Sequence, residues 1–117
     1  MPGLVNGHCH MPMVLFRGLV DDLYLLAWLH GHIFPAEAHR VNPETVNWRA
    51  KLAAAEMLLN GAATVADGYF LDDEVARACV DTGLRCVAAQ GVIDFPTPGV
   101  EYPRRNIKAA ARFVERW

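Results

Sequence analysis

The chain has 117 residues, a net charge of −2, 53% hydrophobic and 21% charged residues. That length supports one modest core, and the apolar share excludes a disordered polar chain while fitting a buried α/β architecture. The near-balanced charge gives no electrostatic footing for nucleic acid or an anionic membrane surface, and no stretch reaches the roughly 18 apolar residues of a membrane span.

Residues 3 to 10, "GLVNGHCH", read as a short strand that is apolar first and polar at its carboxyl end. Asn6, His8 and His10 stand where a signal peptide would need a continuous apolar run, so none is expected. Leu23, Leu26, Ala27 and His30 recur at helical spacing, predicting a helix of about ten residues that Asp21 or Asp22 caps and Pro35 stops.

The most marked helix runs from Pro43 to Asn60. Asn42 suits its N-cap, Pro43 its first position and Glu44 its positive end, while Gly61 closes it. Val46, Ala50, Ala53 and Met57 make one apolar stripe, and Trp48, Leu52, Ala55 and Leu59 another, as expected of a helix lying closely against a sheet. "AATVAD", residues 62 to 67, is a second strand ending in Asp67, which is expected to fix a loop or cap the next helix. A helix over Asp73 to Thr82 follows, closed by Gly83. "LRCVAAQGVID", residues 84 to 94, is the third strand, and a Pro/Gly-rich loop leads to an amphipathic helix starting near Arg105. Apolar strands separated by helices predict a parallel α/β sheet, here three strands with flanking helices.

On a strand, residues two apart share a face, so His8 and His10 project side by side at the carboxyl end of the first strand. Neutral imidazoles so placed suit one divalent ion. Hydrogen bonding to backbone or water is the alternative that any His-x-His tripeptide carries. Cys9 faces the other way and is expected to be a small buried filler. Cys9, Cys79 and Cys86 form no CxxC pair and leave one over in any disulfide scheme, which predicts free thiols in the cytoplasm.

"PGLVNGHCH" followed by "MPMVLFRGL" resembles the first barrel strand of the amidohydrolase superfamily. The likeness is to the branch of methylthioadenosine and S-adenosylhomocysteine deaminases, guanine-type deaminases and triazine chlorohydrolases. It continues through "DDLYLLAWLHGHIFPAEA", "LAAAEMLLNGAATVADGYF" and "GLRCVAAQGVID". The resemblance implies a partial (β/α)8 barrel, TIM-type, of which residues 1 to 117 supply the first three strands, with neither the β-domain that precedes this run in the branch nor the later strands. It implies metal-dependent hydrolysis of C–N or C–Cl bonds in small heteroaromatic substrates, purine nucleosides foremost, with zinc or else iron as cofactor. His8 and His10 correspond to two metal ligands, and Glu37 to a glutamate that holds ribose hydroxyls, unless it is a solvated residue after a helix stop. Trp28 and Phe34 suit an aromatic pocket or plain core packing. The resemblance implies an arginine near Gln90 in members taking carboxylate-bearing substrates, so glutamine there weakens the S-adenosylhomocysteine reading.

His30, His32 and His39 are expected at helix surfaces, and Arg17 is expected to anchor backbone carbonyls. The remaining ligands and the acid/base group belong to later strands in the resemblance. None of residues 1 to 117 is therefore assigned a catalytic proton-transfer role, metal is expected to bind weakly or not at all, and no turnover is expected from the chain alone. The second reading is a non-catalytic unit that oligomerises through an open sheet edge and apolar helix faces. A Rossmann-like or flavodoxin-like module is disfavoured because no strand precedes a glycine-rich phosphate loop.

Overall fold

Strands β1 (Leu4–Cys9), β2 (Ala62–Tyr69) and β3 (Arg85–Gln90) form one parallel sheet in the order β1-β2-β3 in the computed structural model, which describes residues 1–117. Each strand lies where the apolar runs predict it, with β2 two residues longer at its exit and β3 shorter. β2 and β3 pair without a break from Thr64↔Arg85 to Tyr69↔Gln90. β1 slips against β2 between Asn6↔Val65 and Cys9↔Asp67, taking one extra residue across Gly7 and His8.

Helix α3 (Pro43–Leu59) connects β1 to β2 and packs on α4 (Asp72–Thr82), which connects β2 to β3. The α3 start is a reciprocal cap: Asn42 Oδ1 accepts from the Thr45 N–H at 3.0 Å, and the Asn42 N–H donates to Thr45 Oγ1 at 3.1 Å. Replacing Asn42 by Ala is expected to lower stability by about 1 kcal/mol in thermal melts, with the fold otherwise intact. Val46, Ala50, Ala53 and Ala54 are buried, and these small side chains let α4 approach closely. The other expected stripe is not buried in this chain: Trp48 is 65% and Leu59 87% exposed. α4 ends at Gly83 (φ +76), a left-handed position that glycine occupies without a Cβ penalty.

The region before α3 corrects the expected helix stop at Pro35. Helix α1 (Leu25–Trp28), a π turn (Leu29–Ile33) and helix α2 (Phe34–Arg40) run on continuously. The Phe34 N–H reaches back to the Leu29 carbonyl, five residues away, and this widened turn accommodates the Pro35 ring that would crowd a regular turn. Neither Asp21 nor Asp22 caps this helix; its N-cap position is Tyr24, without a side-chain bond.

Met11, Val46, Ala50, Val65, Val75 and Cys79 anchor one core between sheet and helices. Arg17 pairs with Glu56 at 2.7 Å instead of binding backbone carbonyls, and Arg49 takes that duty by donating to the Arg40 carbonyl at 3.3 Å. Helix α5 (Asn106–Arg116) is tied to α4 through Asp73, which bonds Arg116 and the Trp117 indole N–H. No helix is long and apolar enough to cross a membrane.

Candidate metal and substrate site

His8 lies on β1 and His10 one residue past its end; their ring centroids are 5.0 Å apart with planes at 73°. Both are exposed. His10 Nδ1 meets the Gly68 carbonyl at 2.5 Å, on the neighbouring strand. A carbonyl only accepts, so Nδ1 carries the ring proton and Nε2 keeps its lone pair outward. This is the tautomer that a metal ligand needs, fixed by a backbone partner. No set of three or more His, Cys, Asp or Glu side chains converges in the chain, so its own contribution to an ion here is two imidazoles. Cys9 faces the core, packed at its edge, as the strand alternation predicts.

His10, Trp28, Phe34, Glu37, Tyr69 and Ile93 line one open cavity of about 470 Å³, otherwise largely aliphatic. His8 stands outside that lining. Glu37 is 5% exposed, which overturns the solvated reading: the helix continues through Pro35 and carries Glu37 inward. The Tyr69 hydroxyl donates to Glu37 Oε1 at 2.6 Å, while Oε2 has no partner within the chain. Burial pushes the Glu37 carboxyl above its usual range, and the tyrosine bond counters this in part. Burial and the adjacent Glu37 together push the Tyr69 phenol far above its ordinary value, so it stays a donor.

Tyr69 was not indicated by the sequence. Its only signal is the alternation Val65, Asp67, Tyr69, which continues the inward face of β2 two residues past the predicted strand end. Replacing Tyr69 by Phe is expected to raise the Glu37 pKa further and to cost about 1.5–3 kcal/mol, the range for a hydrogen bond to a charged group. Carboxyl-selective NMR titration and urea melts check both.

Asp67 fixes a loop, as expected: its Oδ1 accepts from the Met11 N–H at 2.5 Å, holding the chain directly after His10. Its other oxygen is buried without a partner, and burial pushes its pKa up to about 6. Gln90 turns away from the cavity. Its Oε1 accepts from the Asp72 N–H at 3.4 Å at the start of α4, so residue 90 is not placed to choose among substrates in this cavity. His30, His32 and His39 are exposed on the helical segment, as expected, with His39 Nδ1 bonded to the Pro35 carbonyl at 2.7 Å.

The sequence profile of the amidohydrolase family matches residues 1–116. The chain belongs to the amidohydrolase family. Its three parallel strands and helices match the N-terminal part of an amidohydrolase TIM barrel. One family relative, 5-methylthioadenosine/S-adenosylhomocysteine deaminase 1 of Syntrophus aciditrophicus (strain SB), is 44% identical over 117 residues, covering 100% of this chain and 26% of that protein. The crystal structure of an adenosine deaminase from Xanthomonas campestris with bound zinc superposes with a TM-score of 0.94 at 41% identity, over 100% of this chain and 27% of that one. Atrazine chlorohydrolase from Arthrobacter aurescens TC1, complexed with zinc, shares the fold at 22% identity, with a TM-score of 0.81 over 98% of this chain and 30% of that one. This amidohydrolase chain thus spans about a quarter of the length of the curated relatives it matches, 26% in the Syntrophus case.

Proposed function

We propose that this chain carries one portion of the active site of a metal-dependent hydrolase that deaminates a purine nucleoside or related heteroaromatic ring. In this reading His8 and His10 supply two ligands to a zinc ion, iron being the alternative metal. Glu37 receives the ribose hydroxyls through its free Oε2, and Trp28 forms part of the aromatic wall. The convergence of His10, Trp28 and Glu37 on one cavity carries the reading. The names of the relatives at above 40% identity support a nucleoside deaminase over a chlorohydrolase.

A divalent ion held by such imidazoles acts as a Lewis acid and makes water nucleophilic near neutral pH. The chain's own residues prepare the ground for that chemistry. Gly68 holds the His10 proton on Nδ1, and Tyr69 holds one Glu37 oxygen and leaves the other without a partner in the chain. No third His, Cys, Asp or Glu joins the pair, and weak metal binding and no turnover are the expected outcomes for the chain alone. The free cysteines fit a reducing, cytoplasmic setting.

Zinc titration by calorimetry tests the assignment. His8→Ala and His10→Ala are each expected to weaken binding at least tenfold without altering circular dichroism, since both rings are exposed. Unchanged affinity in the double variant would refute the ligand role. Assays with zinc against adenosine, 5′-methylthioadenosine and guanine are expected to show no deamination above the His8→Ala control.

A second reading, self-association, is favoured by Leu4, Val5 and Val87, which are 60%, 70% and 67% exposed on the outer strands of the sheet. Light scattering separates it from a monomer.

A further inference from the structure

We infer that a second cavity, which shares Glu37 with the first, receives the substituent on the 5′ carbon of the nucleoside, and that Glu101 at its rim makes it refuse anionic substituents. The inference rests on Glu37 as the acceptor of the ribose hydroxyls. Phe34, Glu37 and Phe70 line both this cavity, of about 470 Å³, and the one that His10 lines, so Glu37 belongs to the wall common to the two. In a ribose the diol carbons lie between C1′, which carries the base, and C4′, which carries the 5′ carbon. A sugar held by its diol at Glu37, with its base toward His10, therefore directs its 5′ carbon to the second cavity.

The outer wall of this cavity is held in place by the chain itself. Past β3 the backbone turns through residues 97–100, where the Thr97 N–H donates to the Val100 carbonyl at 3.0 Å and the Val100 N–H donates back to the Thr97 carbonyl at 2.9 Å. Gly99 takes φ +82 in that turn and lies against Leu71, with which a Cβ would collide. Phe95 packs on Phe34 with ring centroids 5.1 Å apart. A largely preformed cavity of this size, apolar with few polar groups, suits part of a small ligand. Charge then chooses the substituent. Glu37 and Glu101 are the ionisable side chains on the lining, and no Arg, Lys or His joins them. Glu101 is exposed and forms no ion pair. Arg104 and Arg105 rest on the Tyr102 ring, 5.6 and 4.8 Å from its centre, outside the lining. An alkyl or thioether chain meets hydrocarbon in this cavity, whereas a carboxylate meets acidic groups with no cation to balance it.

The test is saturation-transfer NMR on the full chain with zinc and two probes of equal chain length, 5′-propylthioadenosine and 5′-(2-carboxyethylthio)adenosine. The propyl protons are expected to saturate alongside the adenine protons, and the carboxylate probe to bind about tenfold more weakly. Glu101→Lys is expected to narrow that gap to about threefold or less, and Phe95→Ala to weaken the propyl probe about fivefold while adenosine binds as before. Saturated adenine protons beside silent propyl protons would overturn the second cavity alone. Silence of both would sink the nucleoside reading with it. Equal binding of the two probes, or an unchanged gap in Glu101→Lys, would remove Glu101 as the selecting residue.

Discussion

Stability is expected to fall as pH rises from 5 to 8, against the usual behaviour of carboxylate-rich proteins. Asp72 is fully buried at the start of α4; one oxygen accepts from the Tyr69 N–H at 3.3 Å and the other has no partner. Burial, then the nearby Asp67 charge, push its pKa up to about 7, and Asp67 itself stands at about 6. In the unfolded chain both titrate near 3.8. Between those limits the folded state holds protons that the unfolded state has released, so unfolding gains favour as pH increases. The gap between folded and unfolded values corresponds to about 4 kcal/mol for Asp72 and about 3 kcal/mol for Asp67. This stability is fully present below about pH 4 and is lost once pH passes the folded values. Glu37 acts in the same direction, its pKa being raised by burial. Glu56 and Asp73 act oppositely, but Glu56 pairs with Arg17 at an exposed site and is worth little. Urea midpoints measured at pH 5, 6, 7 and 8 should decline steadily. Asp72→Asn, which keeps an acceptor for Tyr69 and carries no charge, should flatten the profile and exceed the parent at pH 8. A midpoint that rises over this range would contradict the burial argument.

Val65→Asp is expected to abolish the fold at neutral pH. Val65 is completely buried on the central strand, inside the cluster of Met11, Val46, Ala50 and Val75. A carboxylate there meets only hydrocarbon, and its desolvation rivals the roughly 5–15 kcal/mol that holds a domain together. Asp67, two residues along the same face, survives because the Met11 amide meets one of its oxygens. Circular dichroism should show an unfolded chain, with zinc binding lost as well, because Gly68 and Tyr69 ride on the same strand. Val87→Asp, at a 67% exposed strand position, serves as the control and should remain folded.

Periodicity exposed the strands, α3 and α4 because each is a local pattern bounded by a local stop: Asn42 and Pro43 at one end, Gly61 or Gly83 at the other. The neighbouring histidines followed from strand alternation, and the loop-fixing role of Asp67 from its place at a strand end. What escaped depends on contacts distant in sequence. Glu37 stood between a ribose-binding and a solvated role because Pro35 reads as a stop, and only its meeting with Tyr69, 32 positions on, makes burial tolerable. Arg17 finds Glu56 across 39 positions, beyond what any local pattern encodes. Trp48 and Leu59 read as core by type and spacing, yet nothing within residues 1–117 covers them.

The π turn at Leu29–Ile33 works as an angular indexing step. One supernumerary residue in a helix advances everything after it by about 100° relative to an uninterrupted spiral. Excising a single residue from that turn would swing Glu37 off the Tyr69 hydroxyl and bring its neighbours round in its place. The carboxylate's address is thus written in the length of a segment it does not belong to.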